Sequence, residues 1–212
     1  MWSSEVTNMI IAGIGETLYM TLVSTIAGYI IGLPMGIVLT ISDKDGIRPN
    51  SFIYKILDVI VNIVRSIPFI ILLVLLIPFT RFLVGKSYGS TATIVPLVVA
   101  AAPYIARMVE SSLKEVDAGV IEAARSMGAS DFDIVTKVLL VEARTSLLVG
   151  ATISLGTILG YSAMSGAVGG GGLGAIAIRY GYTRWQTDIM IVTVVLLVVL
   201  FQIFQTIGMK TA

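Results

Sequence analysis

From Ile10 to Ile41 the chain runs for 32 residues with a single charged side chain, Glu16. A helix needs about 20 mainly apolar residues to cross the hydrocarbon of a bilayer. In that solvent the backbone must pair with itself. The run therefore sets the class of the whole molecule. Further apolar runs lie over 63–80, 92–109, 138–164 and 189–207. Together they predict an all-α integral membrane protein of five transmembrane helices, forming a single transmembrane domain over 1–212. Composition agrees: 56% of residues are hydrophobic and 13% are charged, where a soluble domain carries about a quarter charged.

Several chemistries are excluded by what the chain lacks. It has no cysteine and no histidine, so disulfides, thiol catalysis, imidazole acid–base catalysis and a zinc site built on those ligands fall away; no metal site is expected. A formal net charge of +1 offers no nucleic-acid footprint, which needs a basic excess on one face. The first basic residue is Lys44, so the positive n-region of a cleavable signal is missing and the first run is expected to stay as a span.

Within the spans, Gly28, Gly32 and Gly36 recur every fourth residue as a stripe for close helix approach, and Pro34 marks a kink. Gly156 and Gly160 form a second such stripe. Residues 52–62 carry Lys55, Asp58 and Asn62 at helical spacing and suit a helix in the interface. Arg65 then opens the second span. An arginine at mid-bilayer costs about 2.5–3.5 kcal/mol on insertion scales, so Arg65 either snorkels to the cytosolic side or faces the protein interior; it is a candidate functional intramembrane residue. Gly85-Lys86-Ser87 echoes a nucleotide-binding loop, but Thr80 stands where its first glycine belongs and an apolar helix precedes it. Gly169, Gly171 and Gly174 match a dinucleotide fingerprint with no strand before them. Both matches are rejected.

The longest polar interval is 117–137. It reads as two short helices hinged at Gly128. Residues 118–127 are good helix formers with a Glu122–Arg125 pair one turn apart. Gly128 sits where a helix takes a left-handed C-terminal residue. Ser130 and Asp133 make a capping-box-like start for the second helix, and Asp133 with Lys137 adds an i,i+4 pair. With this elbow placed inside, Lys44, Arg48, Lys55, Lys114, Arg125, Lys137, Arg144 and Lys210 fall on the cytosolic side and Arg81, Lys86, Arg179 and Arg184 outside. The positive-inside rule favours that orientation, with the N-terminus outside and the C-terminus cytosolic.

The elbow resembles the coupling segment of ABC importer permeases, in which Glu-Ala-Ala is followed after three residues by Gly, and after nine more by Ile-x-Leu-Pro. Here the matching residues are Glu122-Ala123-Ala124, Gly128 and Val138-Leu139-Leu140, with Val141 in the proline position. The resemblance extends to Arg65-Ser66-Ile67-Pro68, Ala101-Ala102-Pro103-Tyr104 and Gly160-Tyr161-Ser162-Ala163-Met164 with the glycines that follow. These look like the permease subunit of methionine ABC importers, in the family of binding-protein-dependent transport inner-membrane components.

What the resemblance implies is a multi-pass protein of the prokaryotic cytoplasmic membrane, not itself an enzyme and carrying no cofactor. Its partners would be a second copy of itself, two ABC ATPase subunits that bind ATP and Mg, an extracytoplasmic substrate-binding protein and membrane lipid, with no nucleic acid. Glu122, Ala123, Ala124, Arg125 and Gly128 would couple to the ATPase, the two alanines being small enough to enter a groove on it. Five helices leave little room for a private conduit, so a pathway between two copies is expected. Tyr161, Ser162 and Met164 are candidates for that pathway and its gate, Met164 because a flexible thioether suits an apolar seal; ordinary core packing is the alternative. A permease for another small amino acid shares the whole architecture. An ion-coupled secondary transporter needs mid-membrane coupling groups and internal repeats, and neither is evident.

Overall fold

The computed structural model describes residues 4–211, and no strand occurs among them. The centre of the bundle is the packing of α1 (Ser4–Ser42) against α5 (Ser90–Lys114). Glycine makes this contact possible. A Cβ at Gly32 would lie 2.6 Å from the Ala102 carbonyl oxygen, and one at Gly36 would lie 2.6 Å from that of Ala106. The α1 stripe thus lays backbone on backbone, the arrangement dispersion needs where lipid supplies no hydrophobic drive. Hydroxyls buried in the same face bond back to their own helix, as Thr25 does to the Thr21 carbonyl (2.7 Å) and Thr40 to that of Gly36 (2.9 Å). Pro34 in α1 and Pro96 and Pro103 in α5 all lie inside continuous helices.

The apolar run expected as one span over 63–80 is divided. α2 (Ser51–Ser66) absorbs the amphipathic stretch and is capped by Asn50, whose side chain accepts from the Phe52 and Ile53 amides. α3 (Phe69–Leu75) follows at 102° to it, and α4 (Ile77–Val84) continues to the left-handed cap at Gly85. Pro68 is the physical reason. It has no N–H to give, and its ring drives Ile67 out of the helical region to φ −83°, ψ 123°.

Beyond α5 the chain forms α6 (Ala118–Ser126), α7 (Asp131–Asp133), a π-helical turn (Ile134–Leu139), α8 (Leu140–Glu142) and α9 (Arg144–Ser165). A 3-10 turn (Gly166–Val168), α10 (Gly172–Ile176), a second π-helical turn (Ala177–Tyr182) and α11 (Thr187–Thr211) complete it. Among the described residues, Ser4–Ser42, Ser90–Lys114, Arg144–Tyr182 and Thr187–Thr211 are long and apolar enough to cross a membrane, and the number is five where the bent α2–α3 pair is counted as one span. The helix expected over 138–164 restarts at Arg144 after a break at Ala143. α11 packs on α9 where Gly156 admits the Phe201 ring, 2.6 Å from the position a Cβ would take. Gly160, expected in the same stripe, has nothing within 4 Å, because the first turns of α11 lie instead on the second π-helical turn, with Met190 against Gly181.

At the elbow end, α1, α2 and α5 are tied by an ionic network that local spacing only partly announces. The expected Glu110–Lys114 pair forms (2.8 Å), and Lys114 also reaches Asp43 (2.7 Å) in the α1–α2 turn. Arg107 binds Glu110 (2.7 Å), Asp58 (2.5 Å) and Asn62 (2.9 Å), and Tyr54 donates to Glu110 (3.3 Å). The polar face of α2 therefore docks on α5. Glu110 is only 2% exposed, and its three partners are what make a buried carboxylate tolerable.

Candidate functional site

The elbow is built by its caps. Asp117 accepts from the Gly119 amide (2.7 Å) and starts α6. At the other end Gly128 takes φ +85°. Its amide donates to the Arg125 carbonyl (2.9 Å) and the Ala129 amide donates to that of Ala124 (3.1 Å), the paired bonds of a Schellman closure. Ser130 then caps α7, accepting from the Asp133 amide (3.2 Å) while its hydroxyl bonds the Asp133 carboxylate (2.5 Å). Lys137 pairs with the same carboxylate (2.5 Å). These contacts, the Lys137 bond first, hold the Asp133 carboxyl down at about 2.

The elbow's outer surface differs in two residues from the sequence expectation. Ala124 is 6% exposed and packs into this chain's own core with Ile134, Val135 and Leu139. Glu122 and Ala123 are exposed, and beside them Met127 (82%) and Phe132 (75%) project from the hinge. Sequence reasoning missed this apolar pair; the signal was two large apolar residues flanking a turn glycine in a polar interval. The expected Glu122–Arg125 pair is absent among the described residues. Arg125 instead donates to the Ile47 carbonyl in the α1–α2 turn, closing one wall of a 390 Å³ groove lined also by Asp43, Lys114, Ile121 and Glu122.

Inside the bundle, Tyr161 stacks flat on Phe69 at the start of α3, with centroids 4.6 Å apart and planes 4° apart. Arg65 and Tyr104 line the same small cavity. Ser162 is buried against Thr21 of α1 (3.5 Å) and donates to the Leu159 carbonyl (2.8 Å), so packing accounts for it. Met164 is half-exposed on the opposite side of its helix turn. The structure thus brings Arg65 and Tyr161 together and leaves Ser162 and Met164 outside their cavity.

The glycine run has a structural purpose at the other end of the bundle. Gly169, Gly171 and Gly172 all take positive φ. This lets the Gly172 amide reach the Glu16 carboxylate (2.6 Å), the Leu173 amide reach Thr17 (2.9 Å), and the Gly89 amide reach the Gly169 carbonyl (2.8 Å). The run stitches α10 to Glu16 and Thr17 of α1 and ties the turn before it to the start of α5.

A family model described as "Binding-protein-dependent transport system inner membrane component" matches residues 28–208. The "Probable D-methionine transport system permease protein MetI" of Vibrio cholerae is 46% identical over 207 residues, 98% of this chain and 92% of that one. The "D-methionine transport system permease protein MetI" of Escherichia coli is 54% identical over 158 residues, 74% of this chain and 73% of that one. A solved structure of inward-facing conformations of the MetNI methionine ABC transporter superposes with a TM-score of 0.97 at 50% identity, covering 99% of this chain and 97% of that one. An amino acid ABC transporter solved with histidines shares the fold, with a TM-score of 0.80 at 21% identity over 98% of this chain and 96% of that one.

Proposed function

This chain belongs to the family of binding-protein-dependent transport system inner membrane components, and from that premise we propose that it is the permease subunit of an ATP-driven importer carrying methionine across the cytoplasmic membrane. The observation that carries the reading is the elbow: a capped, glycine-hinged lever that presents Glu122, Ala123, Met127 and Phe132 outward. Methionine comes from the relatives, whose names carry D-methionine at 46% and 54% identity. ATP hydrolysis belongs to a separate ABC ATPase subunit.

The elbow lies in the cytosol and the N-terminus outside, an orientation the distribution of lysine and arginine favours. Two copies of the chain form the conduit, each resting on one ATPase subunit, and an extracytoplasmic binding protein delivers the substrate. Closing of the ATPase pair displaces the elbows, and the ionic network passes that displacement to α2 and α5 as rigid bodies. Each cycle rocks the pathway between inward- and outward-open forms.

The test is reconstitution with the cognate ATPase and binding protein in liposomes. Radiolabelled methionine should accumulate only with ATP inside the compartment that holds the ATPase. Accumulation by this chain alone, or driven by an ion gradient without ATP, would overturn the reading.

A further inference from the structure

α2 is amphipathic and docks by its polar side. Tyr54 donates to Glu110 and Asp58 accepts from Arg107, both on α5, while Val61 is buried in a cluster with Leu39 of α1 and Ala106 of α5. At 3.6 residues per turn, the side turned away from these contacts carries Phe52, Ile53, Ile56, Val59, Ile60 and Ile63. All six are exposed, Phe52 at 74% and the others at 41% or more. Contiguous apolar surface of this kind marks a contact with membrane or partner.

Charge at the rim of the face selects the occupant. The acids of the α1–α2 turn and of the α2–α5 contact are already engaged: Asp43 with Lys114, Asp45 with Lys44, Asp58 with Arg107, and Glu110 with both Arg107 and Lys114. Two cations at the same end are not. Lys55 stands at the edge of the apolar face, one turn from Phe52 and from Val59, and Arg48 lies three residues before the helix. Both are exposed, and neither side chain forms an ion pair or hydrogen bond among the described residues. A lysine stem lies along apolar surface while its ammonium reaches beyond it. A molecule with acyl chains and an anionic headgroup therefore satisfies the face and its cations together. A zwitterionic headgroup brings an ammonium of its own to Lys55 and Arg48 and gains less.

We propose that the free face of α2, with Lys55 and Arg48 at its head, is a seat for an anionic phospholipid of the surrounding bilayer. The acyl chains lie on the six apolar side chains and the phosphate is drawn to the two cations. The inference holds whatever solute the chain carries and whichever leaflet the seat faces.

The test uses the assembled complex with its ATPase in nanodiscs of mixed phosphatidylglycerol and phosphatidylcholine. Native mass spectrometry counts the lipids of each class that stay bound. The wild type is expected to retain phosphatidylglycerol in preference to phosphatidylcholine. Arg48→Gln with Lys55→Gln should cut that preference by about tenfold or more, at about 1 kcal/mol for each basic residue facing an anionic lipid surface. Both positions are exposed and unpaired, so the double variant should assemble, which size-exclusion chromatography checks. Lys44→Gln, at the same end but paired with Asp45 and outside α2, should leave the preference unchanged. A wild type without preference, or a double variant that keeps it, overturns the seat. An equal loss in K44Q also overturns it, since diffuse surface charge would then be the cause. The chain has no cysteine, so Ile56→Cys is unique within it. A disulfide joining two permease copies through that cysteine would show that a second copy covers the face, and would overturn the seat as well.

Discussion

The Arg125 guanidinium donates to the Ile47 backbone carbonyl, joining the elbow to the α1–α2 turn across 78 positions of sequence. The same turn holds Asp43, which pairs with Lys114 at the end of α5. These two contacts tie α6 to the α1–α2 turn and that turn to the end of α5. Arg125→Gln should reduce substrate moved per ATP hydrolysed by about two- to fivefold, as expected for one exposed charged hydrogen bond. Parallel uptake and phosphate-release measurements on the same vesicles check it. An unchanged ratio would mean that the lever does not work through this contact.

Gly128 is a conformational requirement with free space around it. A Cβ there would touch nothing within 4 Å, yet φ is +85°. A left-handed non-glycine residue costs about 1–2 kcal/mol, with asparagine the best tolerated. Gly128→Ala and Gly128→Arg should both uncouple hydrolysis from uptake without preventing insertion, and Gly128→Asn should retain most coupling. If G128A coupled normally and G128R did not, crowding against the ATPase, and not backbone strain, would be the cause.

How much of this was legible beforehand follows from the range of each interaction. The crossings and the elbow's caps are written locally, in apolar run length, Asp117, Gly128, Ser130 and the Asp133–Lys137 spacing. The bend at Pro68 is local too, but hydropathy alone reads through it, because Ile67 and Phe69 are as apolar inside a break as inside a span. The rest depends on partners distant in sequence. Arg107 finds Asp58 across 49 positions, and Arg125 leaves the neighbour that helical spacing offers, Glu122, for a carbonyl across the groove. Ala124 reads as surface from its motif and proves to be core, because the π-helical turn folds Ile134 and Val135 back over it.

The capped second half of the elbow has a defined pH response. Asp133 lies at about 2, against an ordinary value of 3.8. A depressed carboxyl contributes its stabilisation above the ordinary value and loses it as pH falls through about 2. Coupling should therefore show no Asp133-dependent change at any pH the membrane tolerates. Ser130→Ala and Lys137→Met should each raise the Asp133 carboxyl toward 3.8, read from its carbon-13 carboxyl shift during titration in detergent.

Glu110 anchors the network from its buried end. Glu110→Leu leaves Arg107 and Lys114 facing each other's charge with Asp58 and Asp43 as their remaining partners. Removing one member of a buried pair costs about 3–5 kcal/mol. That figure is an upper bound here, since the Lys114 side chain is 40% exposed. The variant should melt at a lower temperature in detergent, and the double variant Glu110→Leu with Arg107→Leu should recover part of the loss. A double variant worse than the single would show that Arg107 stabilises α2 mainly through Asp58 and Asn62.

The backbone contact between α1 and α5 gives the sharpest packing prediction. A Cβ at Gly36 would stand 2.6 Å from the Ala106 carbonyl oxygen and 2.6 Å from the Val109 Cβ. Neither atom belongs to a flexible side-chain end, so no rotamer change relieves the clash and α1 must move away from α5. Overpacking of this kind costs about 1–3 kcal/mol, more where backbone has to shift. Gly36→Val should thus lower thermal stability and the yield of assembled complex. Gly15→Ala, in the same helix with nothing within 4 Å, should be neutral or gain the helix propensity of alanine, up to about 1 kcal/mol. The two measured together separate packing from propensity. A Gly36→Val protein as stable as Gly15→Ala would mean that the α1 stripe is not the seam that holds the bundle.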